Sequence, residues 1–179
     1  MFTSPYIQNT TGFENQVLNL LPSIKAFPSA LAYIENTLYP PIFDGSQAEN
    51  YTTNIARTAA AVAESAFVCN TYYLDKAFHN QTYSYLFAVP PAIHGNDVPY
   101  TFFNGPNAAS VTAPNVAIAL QEYVTHFAEF GYPSEVGVPY FPMYGSNSSV
   151  QVLNATSIRQ VRDDAANSRC DWWQKALYY

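Results

Sequence analysis

His94 is the residue whose type and position make it a candidate for proton-transfer chemistry. Imidazole titrates in the physiological range, so it can accept a proton in one step and return it in the next. The ring follows the strongest predicted strand of the chain, over residues 82–89. Pro90-Pro91 and Gly95 then shape a loop that can project the ring away from a sheet. A general base is one reading of His94, and a surface or packing role is the other.

For the side chains that follow His94, a structural role is favoured over a functional one. Asp97, three residues further on, either positions the loop or bonds its own backbone in a turn, and the local turn is favoured. The aromatic run of Tyr100, Phe102 and Phe103 either lines a substrate pocket or belongs to a core, and such runs are more often core.

The remaining histidines predict no metal or cofactor site. His79 ends a predicted helix beside a glycosylation acceptor and is expected to be exposed, and His126 lies on a helix with no assigned role. No His-x-His or His-Glu-x-x-His pattern occurs, and neither cysteine lies in a Cys-x-x-Cys pair. We therefore expect no metal and no cofactor.

A partner for the candidate base is missing from the chain. The nucleophile elbow requires Gly-x-Ser-x-Gly between a strand and a helix, and no such pentapeptide occurs. Gly45-Ser46 and Gly145-Ser146 both lack the flanking glycines. Because a base, a nucleophile and oxyanion donors act as a unit, the chain by itself is expected to give negligible turnover.

Composition excludes several classes of protein. With 179 residues, 49% of them apolar and 11% charged, the chain is globular and long enough to bury a core. Its net charge is −6, with no cluster of Lys and Arg, which argues against nucleic-acid binding. No apolar run approaches the roughly 20 residues of a membrane span, so we expect no transmembrane segment.

Other features predict a secreted, extracellular protein. Asn-x-Ser/Thr acceptors make five N-glycosylation candidates, although an Asn-rich polar surface is the alternative reading. The candidates are Asn9, Asn50, Asn80, Asn147 and Asn154. The start, Met1-Phe2-Thr3-Ser4-Pro5, has no signal-peptide character, so we expect a missing N-terminus. An even cysteine count in this setting favours a disulfide between Cys69 and Cys170.

Hydrophobic periodicity predicts mostly helices around a small sheet. The apolar run after Ser84 indicates that the strand at 82–89 is buried on both faces. Predicted helices span 12–21, 28–37, 48–62, 64–78, 115–130 and 163–176, and predicted strands span 82–89 and 150–153.

Several phrases, in this order, resemble the C-terminal third of type-B carboxylesterases and lipases. They are Phe2-Thr3-Ser4-Pro5, Tyr39-Pro40-Pro41, Phe67-Val68-Cys69-Asn70-Thr71, Thr82-Tyr83-Ser84-Tyr85-Leu86-Phe87, His94-Gly95-Asn96-Asp97-Val98-Pro99-Tyr100, Phe127-Ala128-Glu129-Phe130-Gly131-Tyr132-Pro133 and Arg169-Cys170-Asp171-Trp172-Trp173. The resemblance implies the C-terminal part of an α/β-hydrolase fold, with two or three strands of the central sheet. Residues 1–179 would form one incomplete carboxylesterase domain.

The same resemblance implies a function and a site. His94 would be the catalytic histidine of a serine esterase that acts on small-molecule or lipid esters. The nucleophile and the triad acid would lie upstream of Met1. Cys69 and Cys170 match positions that form a disulfide in cholinesterase-like members of the family.

Two other functions remain open from the sequence. One is a non-catalytic, cholinesterase-like glycoprotein with a binding or adhesion role, and the ordinary-looking loop around His94 argues mildly against it. The other is a free-standing binding domain, which two or three strands among many helices make the weaker alternative, because the exposed sheet edge would have to be covered.

Overall fold

The computed structural model describes residues 7–105, 109–133 and 136–176. It divides the chain into two compact units, one formed by Met1–Tyr73 with Ala165–Tyr179 and the other by Leu74–Asp164. The sequence phrase Phe2-Thr3-Ser4-Pro5 lies outside the described residues.

Ten helices and strands are labelled in chain order among the described residues. They are α1 (Thr10–Leu20), α2 (Pro28–Tyr33), α3 (Asn54–Ala63), α4 (Cys69–Ala77), β1 (Ser84–Phe87), α5 (Val98–Thr101), α6 (Pro114–Phe130), β2 (Ser149–Leu153), β3 (Ile158–Arg162) and α7 (Ser168–Trp173). Short 3₁₀ helices occupy Pro22–Ala26 and Ala48–Asn50, and π-helical turns occupy Ile34–Leu38 and Glu64–Val68.

Side-chain caps and one glycine define several of the helix ends. Asn9 accepts a hydrogen bond from the Gly12 amide at the start of α1, and Thr53 accepts one from the Ala56 amide at the start of α3. Gly131 ends α6 in a left-handed conformation with a φ of 79°. The predicted helices at 12–21 and 115–130 are confirmed to within two residues.

Two helix predictions need correction. Instead of separate helices at 48–62 and 64–78, a helical run extends from Asn54 through Ala77, because the π turn at Glu64–Val68 absorbs an extra residue without a break. The helix predicted at 163–176 is shorter, since Asn167 caps it directly before Ser168.

A buried carboxylate organises the interior of the first unit. Glu64 is 2% exposed and accepts hydrogen bonds from the Arg169 guanidinium at 2.7 and 2.8 Å. The Tyr39 hydroxyl also donates to Glu64, at 2.6 Å, and burial and then the Glu64 charge hold the pKa of Tyr39 well above its usual range. Trp173 donates its indole N–H to the Tyr39 hydroxyl at 2.9 Å. These bonds join α7 to residues far away in the sequence.

The second unit contains a three-stranded sheet in the order β1-β2-β3. β1 runs parallel to β2, with Ser84 opposite Val150, and β2 runs antiparallel to β3. β3 was not predicted, because the sequence from Ile158 to Arg162 carries two arginines and no clean apolar alternation. The central strand β2 is the most buried of the three.

The expectation that β1 is buried on both faces is wrong. Tyr85 is 42% exposed and Leu86 is 54% exposed, while Ser84 is buried. β1 lies at one edge of the sheet formed by the described residues, and it is shorter than the predicted strand at 82–89. An edge strand keeps solvent exposure wherever no second layer covers it.

The core of the second unit lies between the sheet and α6. Pro114 begins α6, and the buried face of this helix packs beside the end of β2. The fully enclosed members of this core are Val116, Ala117, Leu120 and Leu153. Tyr123 and Phe141 meet edge to face with ring centroids 5.0 Å apart, which is an arrangement that aromatic pairs prefer.

Candidate active site

The strand that leads to His94 is anchored at its beginning by a buried acid. Asp75 of α4 is 3% exposed, and its Oδ1 accepts hydrogen bonds from the Thr82 hydroxyl at 2.5 Å and the Ser84 hydroxyl at 2.7 Å. Burial raises the pKa of Asp75, and the two hydroxyl donors oppose this rise. Sequence analysis did not single out Asp75, because an acidic residue on a helix is most often exposed to solvent.

The end of the same strand is held by its neighbour in the sheet. The Ala88 amide donates to the Leu153 carbonyl at 2.8 Å, and the Asn154 side-chain amide donates to the Ala88 carbonyl at 2.9 Å. Beyond this point the Pro90-Pro91 peptide bond is cis, and Ala92 has a φ of 51°. The chain therefore leaves the sheet at the carboxyl end of β1, which is where sites in α/β folds form.

His94 lies on a tight turn, which we call the histidine turn (residues 93–97). The Asn96 amide donates to the Ile93 carbonyl at 3.0 Å, and the Asn96 side-chain oxygen accepts from the Ile93 amide at 2.9 Å. Gly95 has a φ of 80°, the value that the third position of a type II turn requires. His94 occupies the second position, and its side chain is exposed.

The short helix α5 fastens the histidine turn to the core. The amides of Tyr100 and Thr101 both donate to the Asp97 carbonyl, at 3.0 and 2.9 Å. Tyr100 is 3% exposed, and its ring meets Phe87 of β1 edge to face with centroids 4.9 Å apart. Gln121 of α6 donates to the Thr101 carbonyl at 3.1 Å. The turn thus rests on contacts with both the sheet and α6.

The Asp97 side chain does not make the local backbone bond that its sequence context favoured. It forms no cap on α5, and its Oδ2 instead accepts a hydrogen bond from the Tyr85 hydroxyl of β1 at 3.0 Å. Burial, this hydrogen bond and the Asp97 charge raise the pKa of Tyr85 to about 12. Sequence reasoning missed Tyr85, because strand alternation does not show which distant loop a tyrosine faces.

The aromatic run after the turn divides between core and surface. Tyr100 belongs to the core of the second unit and Phe103 packs against it, as the core reading of the sequence expected. Phe102 is 76% exposed. The structure therefore brings none of these rings into an enclosed pocket with His94 among the described residues.

The other histidines lie in settings that differ from that of His94. His79 is exposed, with a φ of 55° directly after α4. His126 is half-buried on α6, and its Nδ1 lies 2.6 Å from the Tyr132 carbonyl oxygen, with its ring against Phe130 and Tyr132. Across residues 7–105, 109–133 and 136–176, no three His, Cys, Asp or Glu side chains are grouped to hold a metal ion.

The cysteines predicted to pair do so in the structure. Cys69 at the start of α4 and Cys170 in α7 form a disulfide, and both are fully buried. The bond lies in the first unit, where the hydroxyl of Tyr73 donates to the Cys170 carbonyl at 2.5 Å. It therefore reinforces the attachment of α7 that the Glu64 network also provides.

The five glycosylation acceptors differ in accessibility. Asn9, Asn50 and Asn147 are exposed, whereas Asn80 and Asn154 are half-buried. The Nδ2 atom that a glycan would occupy is engaged at Asn154, where it donates to the Ala88 carbonyl. No helix in the described ranges combines the length and apolarity needed to cross a membrane.

The strand order, the helix α6 and a histidine turn at the carboxyl end of β1 correspond to the C-terminal part of an α/β-hydrolase fold. The fold is similar to the crystal structure of Aspergillus niger EstA, with a TM-score of 0.73 over 97% of this chain and 37% of that chain. Sequence identity to it is 14%, so this likeness concerns the fold alone.

Sequence relatives specify the family. The chain is 32% identical over 172 residues to Carboxylesterase patB of Aspergillus clavatus, covering 96% of this chain and 30% of the relative. It is 31% identical over 150 residues to Carboxylesterase patB of Penicillium expansum, covering 84% and 26%. The sequence matches no protein-family model. The chain belongs to the type-B carboxylesterase family as its C-terminal part, and it spans less than a third of the curated relatives it matches.

Proposed function

We propose that this chain is the C-terminal part of a secreted serine carboxylesterase, in which His94 acts as the general base and acid. The observation that carries the proposal is the exposed imidazole on a tight turn at the carboxyl end of a strand in a parallel pair. Side chains placed there project from a rigid scaffold toward a site rather than into the core. The two relatives named Carboxylesterase patB support ester hydrolysis as the reaction.

In this mechanism the rest of the longer protein supplies the serine, the triad acid and the oxyanion donors. The His94 imidazole accepts the serine hydroxyl proton as the serine oxygen bonds to the ester carbonyl carbon, and it returns that proton to the leaving alcohol as the carbon–oxygen bond breaks. It then accepts a proton from water, whose oxygen attacks the acyl enzyme, and passes it to the departing serine oxygen. The products are an alcohol and a carboxylic acid.

The substrate class follows from the chemistry of the relatives and not from a pocket. A small-molecule or lipid ester is the proposed substrate, because acyl transfer to serine requires a polarisable ester carbonyl. The absence of Gly-x-Ser-x-Gly from these 179 residues predicts that the chain alone turns over no ester.

Secretion is supported by two features of different kinds. The Cys69–Cys170 disulfide requires an oxidising compartment to persist. Exposed acceptors at Asn9, Asn50 and Asn147 supply surface positions for N-glycans.

The decisive experiment compares His94→Ala with His79→Asn in the protein at its full natural length. His94→Ala should lower kcat/KM for a short-chain aryl ester by about 10⁴-fold or more, as removal of a triad member does. His79→Asn is the matched control, because asparagine tolerates the left-handed backbone at that position and His79 lies outside the histidine turn. Retention of ester hydrolysis by His94→Ala would remove the assignment.

The same gene offers a check that needs no protein. The codons upstream of Met1 should encode a Gly-x-Ser-x-Gly motif between a strand and a helix. A continuous upstream reading frame without that motif would contradict the serine mechanism.

A further inference from the structure

The bond between Tyr85 and Asp97 connects the sheet to the turn that carries His94. We infer that Tyr85 is a positioning residue: its hydroxyl holds the Asp97 carboxylate, and through it fixes the histidine turn relative to β1. This inference deepens the proposed function and rests on it for its catalytic consequence. Its structural part, a tether between strand and turn, stands without any assumption about ester hydrolysis.

The geometry makes Asp97 a junction with two separate attachments. Its carbonyl oxygen accepts the amides of Tyr100 and Thr101 and so begins α5. Its carboxylate accepts the Tyr85 hydroxyl at 3.0 Å, although twelve residues separate the two in the sequence. The backbone contacts fix Asp97 to the helix that follows, and the side-chain contact fixes it to the strand that precedes the turn.

The tether adds a direct bond to the other contacts of the turn. The bonds between Ile93 and Asn96 and between Gly95 and Val98 define the shape of the turn. The packing of Tyr100 on Phe87 orients the helix α5 that follows, and the Tyr85–Asp97 bond joins the turn itself to β1. A hydrogen bond to a charged acceptor is stronger than a hydrogen bond to a neutral acceptor. The bond from the Tyr85 hydroxyl to the Asp97 carboxylate is of the charged kind.

The neighbouring tyrosine shows that the contact is specific. Tyr83 directly precedes β1 and lies two positions before Tyr85. The ring of Tyr83 meets Phe127 and Phe141 edge to face, with centroids 5.9 and 6.0 Å away. Tyr83 therefore serves the core, whereas the hydroxyl of Tyr85 reaches the turn.

A double-mutant cycle with hydrogen exchange tests the tether in the protein at its full natural length. Tyr85→Phe should speed amide exchange about ten-fold in the peptide that covers the histidine turn, a factor in line with the loss of one charge-assisted bond. Asp97→Ala should have the same effect, and the double variant should add nothing further. Asp97→Asn keeps an acceptor oxygen but loses the charge, so its exchange should be slower than that of Asp97→Ala and faster than that of the wild type. Tyr83→Phe removes a hydroxyl two positions earlier in the chain, from a ring that packs on Phe127 and Phe141, and should leave exchange unchanged.

The catalytic consequence has its own readout. Tyr85→Phe should lower kcat about ten-fold at unchanged KM and unchanged melting temperature, since a displaced base loses transition-state geometry and not substrate affinity. Unchanged exchange in Tyr85→Phe, or additive effects in the double variant, would overturn the tether. Unchanged kcat beside faster exchange would overturn the positioning role.

The two proposals fail in different ways. If His94→Ala keeps full activity while Tyr85→Phe speeds exchange, the catalytic role of His94 is refuted and the tether is supported. If His94→Ala abolishes activity while Tyr85→Phe changes neither exchange nor kcat, the tether is refuted and the esterase function is supported.

Discussion

Removing the Cys69–Cys170 disulfide should destabilise the protein more than any other single bond in the first unit. The two cysteines are 101 residues apart in the sequence. Cross-linking a loop of that length removes conformational entropy from the unfolded chain worth about 4.7 kcal/mol at 25 °C in the chain-entropy model. Since whole domains are stable by about 5–15 kcal/mol, the bond is worth between roughly three tenths and nine tenths of the stability of a typical domain.

Urea unfolding of the oxidised protein, the reduced protein and the Cys69→Ala/Cys170→Ala variant measures this contribution. Both cysteines are fully buried, so the double variant also leaves small cavities. The reduced wild-type protein keeps both side chains and separates the cross-link from the packing. The fluorescence of Trp172 and Trp173, both in α7, reports on the unit that contains the bond.

Two quantities should change on reduction. The midpoint of unfolding should fall, and the dependence of the free energy of unfolding on urea should steepen, because an unfolded chain without its cross-link exposes more surface. Equal midpoints for the oxidised and reduced proteins would refute the reasoning.

Two further predictions concern the histidine turn and the surface. Gly95→Ala and Gly131→Ala face the same strain, since both glycines have a φ near 80° and an added Cβ meets no atom within 4 Å. Each substitution should lower the free energy of unfolding, measured in urea, by about 1–2 kcal/mol. Only Gly95→Ala should also lower kcat for ester hydrolysis. An equal loss of kcat in both variants would contradict a special role for the histidine turn. In a eukaryotic secretory host, peptide mass spectrometry should find higher glycan occupancy at Asn9 than at Asn154, whose Nδ2 donates to a carbonyl. The reverse order would show that accessibility in the folded chain does not govern modification.

Much of the fold was predictable because its signals are local. The apolar spacing along α6 and the glycine at position 131 mark that helix and its end without reference to any other segment. The aromatic and aliphatic run before Pro90 marks β1 in the same way. β3 escaped prediction, because its pairing with β2 supplies what its own residues lack.

In the candidate site, too, local features were predictable from the sequence and long-range contacts were not. Proline and glycine around His94 predicted a loop, and the turn closed by Ile93 and Asn96 has the geometry those residues favour. The two carboxylates that anchor this region could not be assigned from sequence. Asp75 reads as a helix-surface residue and Asp97 as a turn residue, yet each bonds a hydroxyl from the strand between them.

Residue types and local spacing were sufficient to nominate His94 as a candidate base, to favour a cysteine pair and to show that these 179 residues contain no Gly-x-Ser-x-Gly. The class of fold came from the resemblance of ordered phrases to type-B carboxylesterases. Which face of β1 is covered, and which tyrosine reaches the histidine turn, depended on three-dimensional packing. Such contacts join residues whose proximity is created by folding, so a linear pattern contains no signal of them.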